Sequence, residues 1–172
     1  MNIPKYIIVH HTAVSYDVNP DQFNATNEYH KKFEMKSSLG FWGGYHYEVS
    51  KAGIIRQFRN DNEDGAHTIG KNKESLGICL DGNFDTELPT KEQTETLRKF
   101  LVEKCKLYGI IPENIVPHRA FAAKSCYGSK LPDDWARNLL IKTSNPPNEK
   151  IAVLEQIVTS CTKLLEIIKK EK

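Results

Sequence analysis

Apolar residues along this chain recur with two periods, and the changes between them predict its elements. The run Tyr6-Ile7-Ile8-Val9 is uninterrupted and rich in β-branched residues, so it reads as a buried strand; it ends in His10-His11. Tyr45–Val49 and Ile54–Phe58 flank the turn Lys51-Ala52-Gly53 and predict a hairpin, while Leu76–Leu80 predicts a short central strand. The helical period is clearest over Lys91–Tyr108, where Leu97, Leu101, Cys105 and Tyr108 share a face. Thr90 and Gln93 form a capping-box pair ahead of it, and Gly109 stops it. A weaker pattern of Phe23, Thr26, Tyr29 and Phe33 predicts a helix to about Lys36, with Asn19 as its cap and Pro20 in its first turn. Ile115-Val116 is a brief extended segment, and Asp133–Ile141 a last helix carrying Trp135 and Leu139. Strands interleaved with helices predict an α/β fold, a mixed central sheet flanked by helices.

Residues 1–142 therefore read as one domain and Thr143–Asn148 as a linker by composition. Over 149–172, Ile151, Leu154, Val158, Cys161, Leu165 and Ile168 recur at spacings of three and four. They predict an extra C-terminal amphipathic helix whose apolar seam either packs on the domain or joins two copies as a homodimer.

A chain of 172 residues can bury a proper core. Its 24 basic and 22 acidic residues leave no strongly basic face, which argues against a nucleic-acid partner. The apolar runs are too short for a membrane span. Met1–Lys5 leads straight into the first strand without room for a signal peptide, which predicts a cytoplasmic location. Cys79, Cys105, Cys126 and Cys161 are too scattered for a disulfide scaffold, so free thiols are expected.

Candidate chemistry centres on the segment from His118 to Cys126, with Lys124 two residues before the cysteine. Imidazole and thiolate are ligands that zinc prefers, and a third can come from His10-His11. Neighbours in a strand face opposite ways, so at most one of that pair ligates. Two histidines, one cysteine and an open position describe a catalytic zinc; a structural zinc needs a fourth protein ligand, and a thiol nucleophile paired with His118 is a further reading. His30 reads as an ordinary packed or solvated histidine. Trp42 and Phe41 lie in the glycine-rich approach to Tyr45, where Trp42 would line a groove and Phe41 would pack.

Five motifs stand in order: Val9-His10-His11-Thr12, Gly44-Tyr45-His46-Tyr47, Gly65-Ala66-His67, Ser75-Leu76-Gly77-Ile78 and the His118 to Cys126 loop. Together they resemble the zinc-dependent N-acetylmuramoyl-L-alanine amidases, especially phage lysozymes (endolysins) of the amidase type, with peptidoglycan recognition proteins as more distant relatives. The resemblance covers about Tyr6 to Ile141. It implies one Zn2+ held by His10, His118 and Cys126, with Tyr45 and Lys124 assisting catalysis and His67 at the rim of the groove. It further implies bacterial peptidoglycan as the partner and hydrolysis of the amide joining N-acetylmuramic acid to L-alanine. The setting it implies is a phage or prophage endolysin, cytoplasmic until released to the wall. A wall-recycling amidase and a non-catalytic recognition domain are the alternatives. One departure stands out: some intracellular members carry a glutamate where this chain has Cys79. Cys79 then reads as a buried strand residue, Asp81 is expected on the other face, and His46 is expected to face away from Tyr45.

Overall fold

The computed structural model describes residues 1–19, 21–141 and 156–159. Met1–Leu140 form one compact unit and Ile141–Lys172 a second. In the first unit, β1 (Tyr6–His11), β2 (Tyr47–Val49), β3 (Ile55–Gln57), β4 (Ser75–Leu80) and β5 (Ile115–Pro117) make one sheet in the order β3-β2-β4-β1-β5. Pairing is parallel except between β2 and β3, so the sheet is mixed with an antiparallel edge. Among the described residues, the α-helices α1 (Phe23–His30), α2 (Lys91–Tyr108) and α3 (Trp135–Ile141) accompany it.

Strand alternation divides the sheet into two unlike faces. Ile7 and Val9 of β1 and Leu76, Ile78 and Leu80 of β4 join Leu97, Phe100 and Leu101 of α2 in the hydrophobic core. Ile8 and His10, with Ser75, Gly77 and Cys79, occupy the alternate positions and face the other way, and every one of them is buried. The α2 helix starts as its sequence dictates: Thr90 Oγ1 accepts the Gln93 N–H and Gln93 Oε1 accepts the Thr90 N–H, both at 3.1 Å. Gly109 ends it at φ 66°, a left-handed conformation that glycine adopts without steric cost.

Several expectations need correction. The first helix is shorter than Asn19 to Lys36; after His30 it tightens into a 3-10 turn, Lys31–Phe33, and breaks at Glu34 (φ 55°). Its N-cap is Gln22, not Asn19, and Pro20 lies outside the described residues. Asn19 instead accepts the Asp21 N–H through its side chain, an Asx turn one step too early to cap the helix. The buried face of α1 is Phe23, Thr26 and His30, with Tyr29 and Phe33 exposed. The hairpin strands and the last helix each begin one or two residues later than periodicity placed them. The linker at 143–148 and seam residues Ile151, Leu154, Cys161, Leu165 and Ile168 lie outside the described residues. Residues 156–159, which include Val158, are helical. No helix among the described residues is long and apolar enough to cross a membrane.

Candidate metal centre

Three donors meet at the carboxyl end of the parallel strands. His10 is the last residue but one of β1, His118 follows β5 directly, and Cys126 returns on the loop after it. One ligand atom from each lies within 4.8 Å of the others, and His10 Nδ1 is 3.7 Å from Cys126 Sγ. Tetrahedral zinc with ordinary Zn–N and Zn–S bonds requires about 3.6 Å between such atoms, so the pair fits without rearrangement.

The loop is held by main-chain recognition. Arg119 donates its backbone N–H to Cys126 O at 2.7 Å, and its guanidinium donates to the carbonyls of Ser125, Gly128 and Leu131 and to the Asp133 carboxylate. Asp85 anchors the same segment by accepting from Ser125 Oγ and the Ser129 N–H. The two groups fix Cys126 opposite His10, even though the loop has little regular structure.

The imidazole of His10 is oriented from behind. Its Nε2 lies 3.1 Å from His67 Nδ1, and His67 Nε2 lies 3.5 Å from Ser75 Oγ, which donates to Lys71 O. We assign the His10 proton to Nε2 from this pattern, which leaves the Nδ1 lone pair for a metal. The His67 ring occupies space left by two glycines: a Cβ on Gly65 or Gly77 would stand 2.5 or 2.6 Å from it. His67 is therefore a largely buried support for His10 that also contributes to the lining of the groove.

Electrostatics favour neutral imidazoles here. Burial, then His67 and His118, holds His10 well below the usual histidine range, and burial with the nearby Lys124 lowers His118. Burial pushes the Cys126 thiol up to about 11 against the pull of the His11 N–H and Lys124. A metal that seats here must displace that proton. Burial, then Cys79 and Cys126, raises Tyr45 far above the usual phenol range, so it is a neutral donor; its ring centroid lies 4.9 Å from that of His10.

A groove of about 560 Å³ has His118 and Cys126 in its lining together with Tyr45, Lys124, Tyr29 and Phe33, while the third donor, His10, is buried. His30, passed over in the sequence, also lines it. His30 Nδ1 accepts the Gly44 N–H at 2.9 Å, so the neutral ring carries its proton on Nε2, and burial lowers this histidine to about 4. The sequence did hold a signal for it: His30 lies seven residues after Phe23 and four after Thr26, on the inward face of α1.

Other candidates fall elsewhere. Trp42 does not line the groove; it sits by Lys36, with its backbone N–H on Asn27 Oδ1 at 2.6 Å. Phe41 packs on Phe23 and Phe58. His11 points to the core side, where Nδ1 accepts the Phe84 N–H. His46 is buried, accepting the Gly77 N–H on Nδ1 and bonding Glu63 O through Nε2. Asp81 corrects an expectation: it is two residues beyond Cys79, so alternation sets it on the same face, where it interacts with Glu48 of β2.

The family described as N-acetylmuramoyl-L-alanine amidase matches residues 1–129. Peptidoglycan-recognition protein 2 of Holotrichia diomphalia is 34% identical over 98 residues, which are 56% of this chain and 52% of that protein. The chain thus spans about half the length of that relative. The endolysin of Klebsiella phage KP32 is 30% identical over 108 residues, 59% of this chain and 70% of the endolysin. Among solved structures, N-acetylmuramoyl-L-alanine amidase LysC from Clostridium intestinale URNW superposes with a TM-score of 0.66 at 27% identity, covering 84% of this chain and 88% of that one.

Proposed function

Because the chain belongs to the N-acetylmuramoyl-L-alanine amidase family, we propose that it is a zinc-dependent peptidoglycan amidase of the endolysin type. Its substrate is the amide between the lactyl group of N-acetylmuramic acid and the L-alanine of the stem peptide. The observation that carries this reading is the convergence of His10, His118 and Cys126 within 4.8 Å of one another, beside a groove lined by His118, Cys126, Tyr45 and Lys124.

The donor set suits zinc: two neutral nitrogens and a sulfur within 4.8 Å of one another, the His10–Cys126 pair at tetrahedral spacing, beside a groove with room for a fourth group. When bound, zinc supplies water activated near neutral pH and polarises the scissile carbonyl. The chain's own residues do the rest. Tyr45, held as a phenol, donates to the oxygen that gains charge as the amide carbon becomes tetrahedral. Lys124 brings a positive charge to the same side of the groove and stabilises that oxygen. His67 holds the His10 ring in its ligating orientation. His30 offers Nε2–H to a carbonyl of the bound substrate.

Digestion of purified peptidoglycan with and without chelator, followed by mass spectrometry of the products, tests the reading. Release of new L-alanine amino termini, abolished by chelator and restored by zinc, is expected. Cleavage that survives metal removal would overturn it in favour of a thiol enzyme. Binding to the wall with bound zinc but no cleavage would place the chain with the recognition proteins.

A further inference from the structure

The groove-side face of the sheet carries a second polar group that the metal centre leaves unused. Cross-strand pairing sets Arg56 beside Glu48, Glu48 beside Cys79, and Cys79 beside His10. Paired residues point to the same face, so these four form one row across β3, β2, β4 and β1. Glu48 is fully buried, and neither of its carboxyl oxygens has a hydrogen-bond partner among the described residues. Asp81 is fully buried as well; its Oδ2 accepts the Gln22 N–H at 2.8 Å while Oδ1 is unpartnered. The cation of the row, Arg56, forms its ion pair with Asp21 and lies over the Phe23 ring, 4.5 Å from the centroid, so it lowers Glu48 and Asp81 only through its charge, as a lesser influence than their burial.

Two adjacent buried carboxyls cannot both ionise without a partner, so one of them keeps its proton. Burial, then the charge of Asp81, raises Glu48 to about 9, and burial raises Asp81 to about 6. Asp81 is the anion because the Gln22 N–H, at the start of α1, favours its charged form. At neutral pH the pair holds one proton and one negative charge. The groups facing Glu48 are Cys79 of β4, Asp81 just after that strand, Arg56 of β3 and Tyr45, with uncharged Thr26 from α1. Asp21, ahead of α1, acts on Asp81.

We propose that Glu48 and Asp81 are a buried counter-charge for the metal held by His10, His118 and Cys126, an inference that rests on the zinc reading above. A dication bound by one thiolate leaves one positive charge uncompensated. Two strand spacings of about 4.8 Å put Glu48 about 10 Å from His10 along the row, and Asp81, two residues beyond Cys79, falls at about 8 Å by the same geometry. At that separation and an effective dielectric of about 20, single charges shift a proton equilibrium by about one pH unit. The pair thus tunes a metal that the three ligands hold, and it gives up its own proton more readily once the metal is seated.

Zinc affinity, measured by competition with a chromophoric chelator, tests this on the full chain. At pH 7.5 the single variant Glu48→Gln keeps the Asp81 anion and is expected to bind zinc like the parent. The double variant Glu48→Gln/Asp81→Asn should bind about tenfold more weakly. Carboxyl carbon NMR of the unmodified protein supplies a second reading that needs no variant: the Glu48 titration midpoint should fall by about one pH unit when zinc is added. Unchanged affinity in the double variant, or an unmoved midpoint, overturns the counter-charge while leaving the zinc site intact. Failure of the unmodified protein to bind zinc overturns both.

Discussion

Ile7 and Val9 look towards α2, whereas Ile8 and His10 look the opposite way, towards the groove side. One residue of register separates stability from chemistry on the same strand, and β4 repeats the pattern with Leu76 and Ile78 against Gly77 and Cys79. The α2 side is held by apolar burial, which is tolerant of pH and indifferent to metal. The groove side carries histidines, a cysteine and carboxyls that burial keeps neutral or shares out by proton, so it responds to both. A sheet buried on both faces can therefore be uniform in exposure and divided in function.

Changes on either face should separate these properties. The largest effect is expected from Cys126→Ser: activity falls to background and zinc content drops well below one per chain, with circular dichroism unchanged. Next come Lys124→Ala and Tyr45→Phe, which should keep zinc, as read by metal analysis, yet lose about 100- to 1,000-fold in kcat. Acid should weaken the groove side selectively. His30 and His46 are each lowered from 6.5 to about 4. For groups held neutral in the fold, stability is complete above about pH 6.5 and is lost as pH falls towards 4, because only the unfolded chain takes up the protons. Urea melts at pH 7, 5.5 and 4.5 should show a loss of up to roughly 3 kcal/mol per histidine. On the α2 side, Leu97→Ala should cost about 3 kcal/mol in the same melts and leave kcat and zinc content at parental values. The smallest effect is expected from His67→Gln, a loss of roughly 10- to 100-fold in zinc affinity with little change in melting, because only the orientation of His10 is disturbed. A Leu97→Ala protein that loses zinc, or a His67→Gln protein that loses as much stability as Leu97→Ala, would erase the division between faces.

The elements whose signals are local were legible in the sequence. The α2 helix shows its cap, its apolar face and its glycine stop within one segment, and β1 and β4 stand out as short apolar runs. The ordered motifs named His10, His118, Cys126, Tyr45 and Lys124; four of them line one groove, and the buried His10 lies within ligand distance of His118 and Cys126 and against the Tyr45 ring. What stayed hidden depends on partners distant in the chain. The start of α1 is set by Asp81, 59 residues away from Gln22, so local capping rules pointed to Asn19 instead. His67 reads as an isolated histidine until Gly65 and Gly77 are seen to clear space for its ring. Glu48 is one polar residue in an alternating strand, and only its full burial in the fold shows that this face of β2 is covered. Trp42 was misplaced because a glycine-rich approach fixes position along the chain but not direction.

The Arg119 clamp binds oxygens of the backbone and the carboxylate of Asp133, and none of its partners is a side chain between Ala120 and Lys124. The shape of the ligand loop is thus written in carbonyls, and its side-chain text is free to change. Positions 122 and 123 form a natural site for diversification. A library randomised there would vary the surface of the loop next to Lys124, which lines the groove, while the cysteine beyond it keeps its station.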